Sequence, residues 1–216
     1  MIVLALDTAL NATSVAVLDG ERVLAARSEP MERGHQERVA GIVRDAVAEA
    51  GVGFDRLERI GVTVGPGSFT GLRVGLAFAK GLALALDIPC MGVGTLEALA
   101  ASVGAPGVVG AVVDARRGQL YVQFFQEGAL LEPPAALTAA EAQGRLDHLN
   151  GPVTLIGSGA GLLTLSPGVA IDPRLFADPV ALARLTLRAA EPIPRPEPLY
   201  LRAPDARTIA ERAAAL

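Results

Sequence analysis

The chain has 216 residues, of which 51% are hydrophobic and 19% charged. That length and composition allow one large domain or two small lobes with filled cores, and they exclude a disordered chain. The formal charge of −4 lacks the basic surplus of a protein that grips nucleic acid tightly by itself, although a local basic patch stays open.

Aromatic residues make up only 4% and tryptophan is absent, so the core must be built from Val, Leu, Ile and Ala. Cys90 is the single cysteine, which rules out an intramolecular disulfide and fits a reducing compartment. Residues 2–6 run into Asp7 without a basic region and read as a strand rather than a signal peptide. The apolar stretch 74–86 is interrupted by Lys80 and reads as too short to span a bilayer. A cytoplasmic protein without a membrane anchor is expected.

In chain order, strands are expected at 2–6, 14–18 and 22–26, with Asp19-Gly20 as a hairpin turn. Val39, Ile42, Val43, Ala46, Val47 and Ala50 recur at helical spacing, and Gly51 stops that helix. A strand at 60–64 leads through a glycine-rich turn into a helix at 72–86. A short strand at 90–93 follows, then a helix at 96–102 that Thr95 is placed to cap. Past a Gly/Pro linker at 104–107 the pattern restarts: a strand at 108–113 ending on Asp114, a strand at 120–125, a Glu127-Gly128 turn and a return at 129–131. Asp7 and Gly20 lie 13 positions apart, Asp114 and Gly128 lie 14. The repetition predicts an α/β fold of two duplicated lobes, with boundaries at 1–103 and 104–190. Beyond these, helices are expected at 138–149 and 180–190 and a strand at 153–156. The proline-rich segment and tail, 191–216, should be extended at 192–198, add a strand or dock at 199–202, and close with a short helix at 207–216.

The stretch "TVGPGSFTGLRVG", residues 63–75, looks like a phosphate loop. It fails the P-loop pattern, because Gly71 is followed by Leu72 and Arg73 rather than Lys and Ser/Thr. It fails the dinucleotide pattern as well, since Gly65, Gly67 and Gly71 are spaced one residue too widely. Two readings stay open. The free amides of the following helix can bind an anion, or the glycines only turn the chain and Ser68 or Thr70 caps the helix. Asp7 and Asp114 likewise either face one cleft as ligands of a metal–nucleotide complex, or end their strands on backbone N–H groups. Asp7, Gly65, Gly67 and Asp114 are therefore the candidate nucleotide contacts. His35 and His148, the only histidines, lack neighbours at metal spacing and are read as solvent-facing, and no metal site is expected. Cys90 reads as buried and inert.

The 72–86 helix is apolar all round, with only Arg73 and Lys80 charged. Such a helix must be covered on every side. It is either sandwiched within its own lobe or turned toward a second subunit.

The segments "LALDTALNATSVAVLDG", "TVGPGSFTGLRVGLAFAKGLALALDIPCMGVGTLEALA", "VVDARRGQLYVQFF" and "PLYLR" resemble the bacterial TsaB (YeaZ) family. The resemblance implies the actin-like, ribonuclease-H-like (ASKHA) fold with mixed sheets. It also implies a part in making threonylcarbamoyladenosine beside the anticodon of tRNAs that read codons starting with A. The catalytic paralogue TsaD holds metal with an H-x-x-x-H pair in a segment similar to 92–99 here. Thr95 and Leu99 stand at those positions and offer no imidazole. The resemblance thus implies a non-catalytic partner of a TsaD-like transferase, working with a TsaE-like ATPase and meeting tRNA only through the complex. It places the partner or homodimer interface on the helices at 36–50 and 72–86, hence on Val39, Ile42, Val43, Leu72, Leu76, Ala79 and Lys80. No cofactor is implied beyond a weakly bound nucleotide. The other reading is a stand-alone ATPase or kinase using Asp7 and Asp114.

Overall fold

The computed structural model describes residues 1–190 and 194–202. The first lobe holds β1 (Ile2–Asp7), β2 (Ala12–Asp19), β3 (Arg22–Pro30), α1 (His35–Glu49), β4 (Arg59–Gly65), α2 (Phe69–Leu86), β5 (Cys90–Gly94) and α3 (Thr95–Ala101). The second holds β6 (Val108–Asp114), β7 (Gln119–Gln126), β8 (Ala129–Leu130), β9 (Ala135–Thr138), α4 (Ala139–Asp147), β10 (Val153–Ile156), β11 (Val169–Asp172) and α5 (Pro179–Arg188). The sheet orders are β3-β2-β1-β4-β5 and β11-β10-β6-β7-β8, with β9 added on β7. In each sheet the first three strands pair antiparallel and the last two join parallel. The same topology occurs twice, which is the duplicated actin-like architecture with mixed sheets.

The repeat is uneven where the glycines are. Between β4 and β5 the chain forms the 18-residue α2, but between β10 and β11 only a 3-10 turn at Ala160–Leu162. Gly157 has φ +106°, and a Cβ on Gly159 would lie 2.9 Å from Val112 and Leu120 side-chain atoms. The chain after β10 therefore hugs the sheet instead of launching a helix.

Both faces of the first sheet are buried, so β1 reads as a continuous apolar run. One face, Leu4, Leu6, Val15 and Val17, packs under α1 and α2. The other, Val3, Ala5, Ala16 and Leu18, meets α3, α5 and the β6 residues Val109, Ala111 and Val113. The terminal helices cross over: α3 packs against β6 and β7, and α5 against β1, β2 and β4. The helix expected as part of 104–190 thus covers the first sheet. Its entry depends on Gly61, where any Cβ would overlap Thr186. Arg59 fixes its end by donating from Nη1 to the carbonyls of Thr186 and Ala189, each at 3.0 Å. A cation on the orphan carbonyls of a helix C-terminus is favoured by hydrogen bonding and by the helix dipole.

Several expectations need correcting. β3 runs on to Pro30, and β9 and β11 form where no strand is expected. Of the two alternatives for 199–202, the chain docks and adds no strand. Thr95 is not a cap: Gly94 holds that position, and the Thr95 hydroxyl is buried without a partner. The Glu97 carboxylate takes the Gly94 N–H instead. The expected terminal helix at 207–216 and part of the extended segment, 192–193, lie outside the described residues. α2 begins at Phe69, three residues before its apolar pattern, with the Ser68 hydroxyl as its cap. At 18 residues it is long and apolar enough to cross a membrane by length and composition. Here Leu72, Leu76, Ala79 and Ala83 are packed into the lobe.

Replacing Gly61 by Val should push α5 off the sheet and cost about 1–3 kcal/mol by overpacking. Urea unfolding should show a lowered midpoint with an unchanged slope.

Candidate functional site

Two regions gather the sequence candidates: the strand ends where the lobes meet, and the outer face of α1 and α2. Asp7 closes β1 with no solvent exposure. Its Oδ1 accepts the Thr63 hydroxyl at 2.6 Å and the Ala9 N–H at 2.8 Å. Oδ2 is buried without a partner, as is the hydroxyl of Ser14, the residue opposite Asp7 across β1–β2. Burial pushes the Asp7 carboxyl above its usual range, against the pull of these hydrogen bonds and of His35. Asp114 ends β6 in the same way, with Oδ1 accepting the Arg116 N–H at 2.8 Å. It stays partly exposed, and its own N–H donates to the Ser158 hydroxyl. Both aspartates thus close a strand on the N–H two residues onward.

The glycine loop lies against the chain itself. A Cβ on Gly67 would come within 2.5 Å of the Ala9 carbonyl oxygen, and one on Gly71 would overlap that of Thr8. Ser68 N–H donates to Ala9 O at 2.8 Å, and the Thr8 hydroxyl donates to Gly71 O at 2.7 Å. The Gly71 N–H is taken by the Ser68 hydroxyl, which is the capping alternative. Gly65, with φ +114°, has Leu199 O where a Cβ would be, 2.6 Å away.

That oxygen belongs to the tail, which docks here without forming a strand. The register of β4 against β5 slips between Thr63 and Gly65, and the Val64 carbonyl accepts Leu199 N–H at 2.7 Å. Pro196 is buried over Gly92, Tyr200 meets Phe69 and Arg73, and Arg202 donates to Ala115 O of the second lobe at 2.7 Å. The segment straps one lobe to the other across the strand ends.

His35 is not solvent-facing. It begins α1, where the helix packs over β2, and is 6% exposed, with Nδ1 2.8 Å from the Thr13 hydroxyl. Burial lowers its pKa against the field of Asp7. His148 is exposed at the end of α4. Cys90 is half-buried, its thiol pushed up to about 11 by burial and so inert. Thr95 and Leu99 are both fully buried. No group of three or more metal-ligating side chains occurs among the described residues.

The residues assigned to the partner interface divide sharply by exposure. Val39, Ile42, Val43, Leu72, Leu76 and Ala79 are all at most 5% exposed and are packed in the chain's own core clusters. Of the positions assigned, Lys80 alone is exposed. An all-apolar helix does not reveal which stripe the sheet takes; here it takes Leu72, Leu76, Ala79 and Ala83. The outward stripe of α2 is instead Arg73, Ala77, Lys80, Gly81, Leu84 and Ala85, with Leu84 84% exposed. Beside it α1 exposes Ala40, Arg44 and Ala48.

The buried carboxyl gives a pH signature. A folded pKa raised above the unfolded value of 3.8 means that the folded state favours protonated Asp7. That stability is full below the unfolded pKa and is lost as pH rises through the folded one. Asp7→Asn supplies an uncharged isostere with a donor in place of the orphan Oδ2. Its stability relative to the parent, measured by urea unfolding, should increase as pH rises from about 4 toward 8.

A family model for TsaD, tRNA N6-adenosine threonylcarbamoyltransferase, matches residues 27–151. The chain is 30% identical over 221 residues to the tRNA threonylcarbamoyladenosine biosynthesis protein TsaB of Escherichia coli (strain K12), covering 94% of this chain and 95% of that one. The solved structure of YeaZ from Pseudomonas aeruginosa superposes with TM-score 0.73 at 29% identity, over 86% of this chain and 90% of that one. The ethanolamine utilization protein EutJ from Carboxydothermus hydrogenoformans shares the fold alone, with TM-score 0.53 at 13% identity over 84% and 89%. Whole-length likeness to TsaB, YeaZ geometry and a doubled actin-like topology converge, and the chain belongs to the TsaB (YeaZ) family.

Proposed function

We propose that this chain is a non-catalytic subunit in the biosynthesis of threonylcarbamoyladenosine on tRNA. It docks through the outer face of α1 and α2 onto a TsaD-like paralogue and activates it. The carrying observation is the uncovered stripe of α2, where Leu84 stands 84% exposed among Ala77, Gly81 and Ala85. A glycine inside a helix costs about 1 kcal/mol relative to alanine. Gly41 and Gly81 lie inside α1 and α2, and a Cβ on either would meet nothing within 4 Å. No contact among the described residues requires them, whereas a second helix approaching closely would.

The chemistry of the strand ends supports a non-catalytic role. The positions that correspond to the metal-binding histidines of TsaD carry Thr95 and Leu99, neither able to offer an imidazole. The glycine loop is engaged by Thr8, Ala9 and Leu199 rather than left open to a phosphate. A second copy of the chain would compete for the same α1–α2 face, because a two-fold dimer buries one patch on both subunits. In this reading the protein acts in the cytoplasm beside its tRNA substrate, with a TsaE-like ATPase joining the assembly.

Leu84→Glu places a charge at the centre of the face and should abolish co-elution with the paralogue in gel filtration. Its thermal midpoint should stay near that of the parent, because an exposed substitution shifts stability by only about 0.5 kcal/mol. Undiminished co-elution of Leu84→Glu would sink the assignment.

A further inference from the structure

The strap leaves a rim that the partner reading does not use. Arg73, on the first turns of α2, holds its guanidinium 3.8 Å over the Phe69 ring. Its Nε donates to the Tyr200 hydroxyl at 3.3 Å, and the Phe69 and Tyr200 rings lie 5.3 Å apart, tilted by 37°. Both rings remain open, at 45% and 39% exposure. Two residues past Tyr200, Arg202 reaches Ala115 on the β6–β7 hairpin. Directly after Ala115 come Arg116 and Arg117, both exposed. Three elements distant in sequence therefore bring two aromatic faces and four guanidinium groups onto one edge.

The hairpin adds an independent pointer. Arg116 and Arg117 have φ +63° and +55°, before Gly118 at φ +74°. Left-handed positions in a tight hairpin are where Gly, Asn or Asp sit with least strain. The turn closes through Ala115 N–H to Gln119 O at 2.9 Å, a backbone bond that asks for no arginine. Non-glycine residues held in the left-handed region cluster at functional sites. Beside the rim, the Asp114 carboxylate accepts the Arg116 N–H and lies 4.0 Å from the Arg116 guanidinium, a solvent-exposed pair. In a chain of net charge −4, this edge is a local basic patch.

We propose that this rim contacts a single-stranded stretch of tRNA within the assembly, with guanidinium groups on phosphates and a base stacked on Phe69 or Tyr200. The inference rests on the proposed function and names where this subunit meets the RNA. Guanidinium planes and open aromatic rings both stack on bases, and arginine pairs with phosphate through two parallel hydrogen bonds. An acidic protein surface would use the charges but leave the rings idle.

The test uses the full chain in its complex with the transferase paralogue and a fluorescein-labelled, unmodified tRNA transcript, read by anisotropy across a salt series. The double variant Arg116→Gln/Arg117→Gln should bind roughly tenfold more weakly, with the log–log salt slope reduced by between about one and two. Arg116→Lys/Arg117→Lys, which keeps the charges, should retain most of the affinity. Gel filtration of the same samples should show unchanged assembly with the paralogue. Identical affinities and slopes for parent and Gln variant, or no salt-dependent binding by the parent complex, would overturn the inference with the partner role intact. Salt-dependent tRNA binding by the parent chain that the Gln variant weakens, without any assembly with the paralogue, would uphold the rim and overturn the partner role.

Discussion

Everything else in this molecule depends on the exchange of terminal helices between the lobes. A sheet with one uncovered apolar face is unstable in water, and each lobe solves this with a helix from the other's chain segment. α5 reaches the first sheet because Gly61 leaves room for Thr186, and it stays because Arg59 holds its last carbonyls. The layer between the sheets, with Leu96, Leu99, Leu182 and Val113 in one apolar cluster, is therefore core. Once that layer is dry, the strand ends above it inherit a low-dielectric floor. Asp7 is the residue that meets this consequence. It ends β1 above that floor, and complete burial disfavours its charge.

The glycine loop follows from the same closeness. Loops from β1–β2 and β4–α2 cross above the buried layer, and they can cross only if one of them lacks side chains. Gly67 and Gly71 give that clearance to Ala9 and Thr8, while Gly65 gives it to the strap. The slip in register between β4 and β5 lets Val64 O take the strap's Leu199 N–H. A pattern that resembles phosphate recognition is here chain-to-chain packing, built from the same property of glycine: its backbone can be approached from any side.

Local chemistry was legible where it is decided locally. The doubled strand–Asp–strand–turn unit, the Asp19-Gly20 and Glu127-Gly128 turns and the Gly51 stop rest on spacing and on turn preferences, and each appears in the fold; of the two cap candidates, Ser68 takes the position. What escaped is decided by distant partners. β9 is Ala-Ala-Leu-Thr, without β-branched character before its last residue, and becomes a strand because β7 offers it a free edge. β11 is similarly a lone edge strand on β10 with half its residues exposed. His35 looked like a surface histidine until the start of α1 settled over Thr13. Thr95 had the composition of a cap, but β5 runs one residue further than its apolar pattern and hands that position to Gly94.

The helix α2 shows why composition alone does not say which stripe faces the sheet. A hydrophobic pattern with no polar face has two stripes to assign and no internal reason to prefer either. The sheet selects Leu72, Leu76, Ala79 and Ala83, which leaves Ala77, Gly81, Leu84 and Ala85 outside. Had α2 served only its own lobe, the outer stripe would gain by being polar. Its apolar outer stripe and its helix-interior glycine both cost stability in the free chain, and a solvent-exposed surface gives neither any return. The first turns of the same helix, at Phe69 and Arg73, are engaged by the strap that bridges to the second lobe. About 27 Å of rigid helix therefore joins the lobe-bridging segment to the uncovered apolar stripe. The uncovered stripe and the edge of the lobe junction are two ends of one element, and neither can be moved without carrying the other.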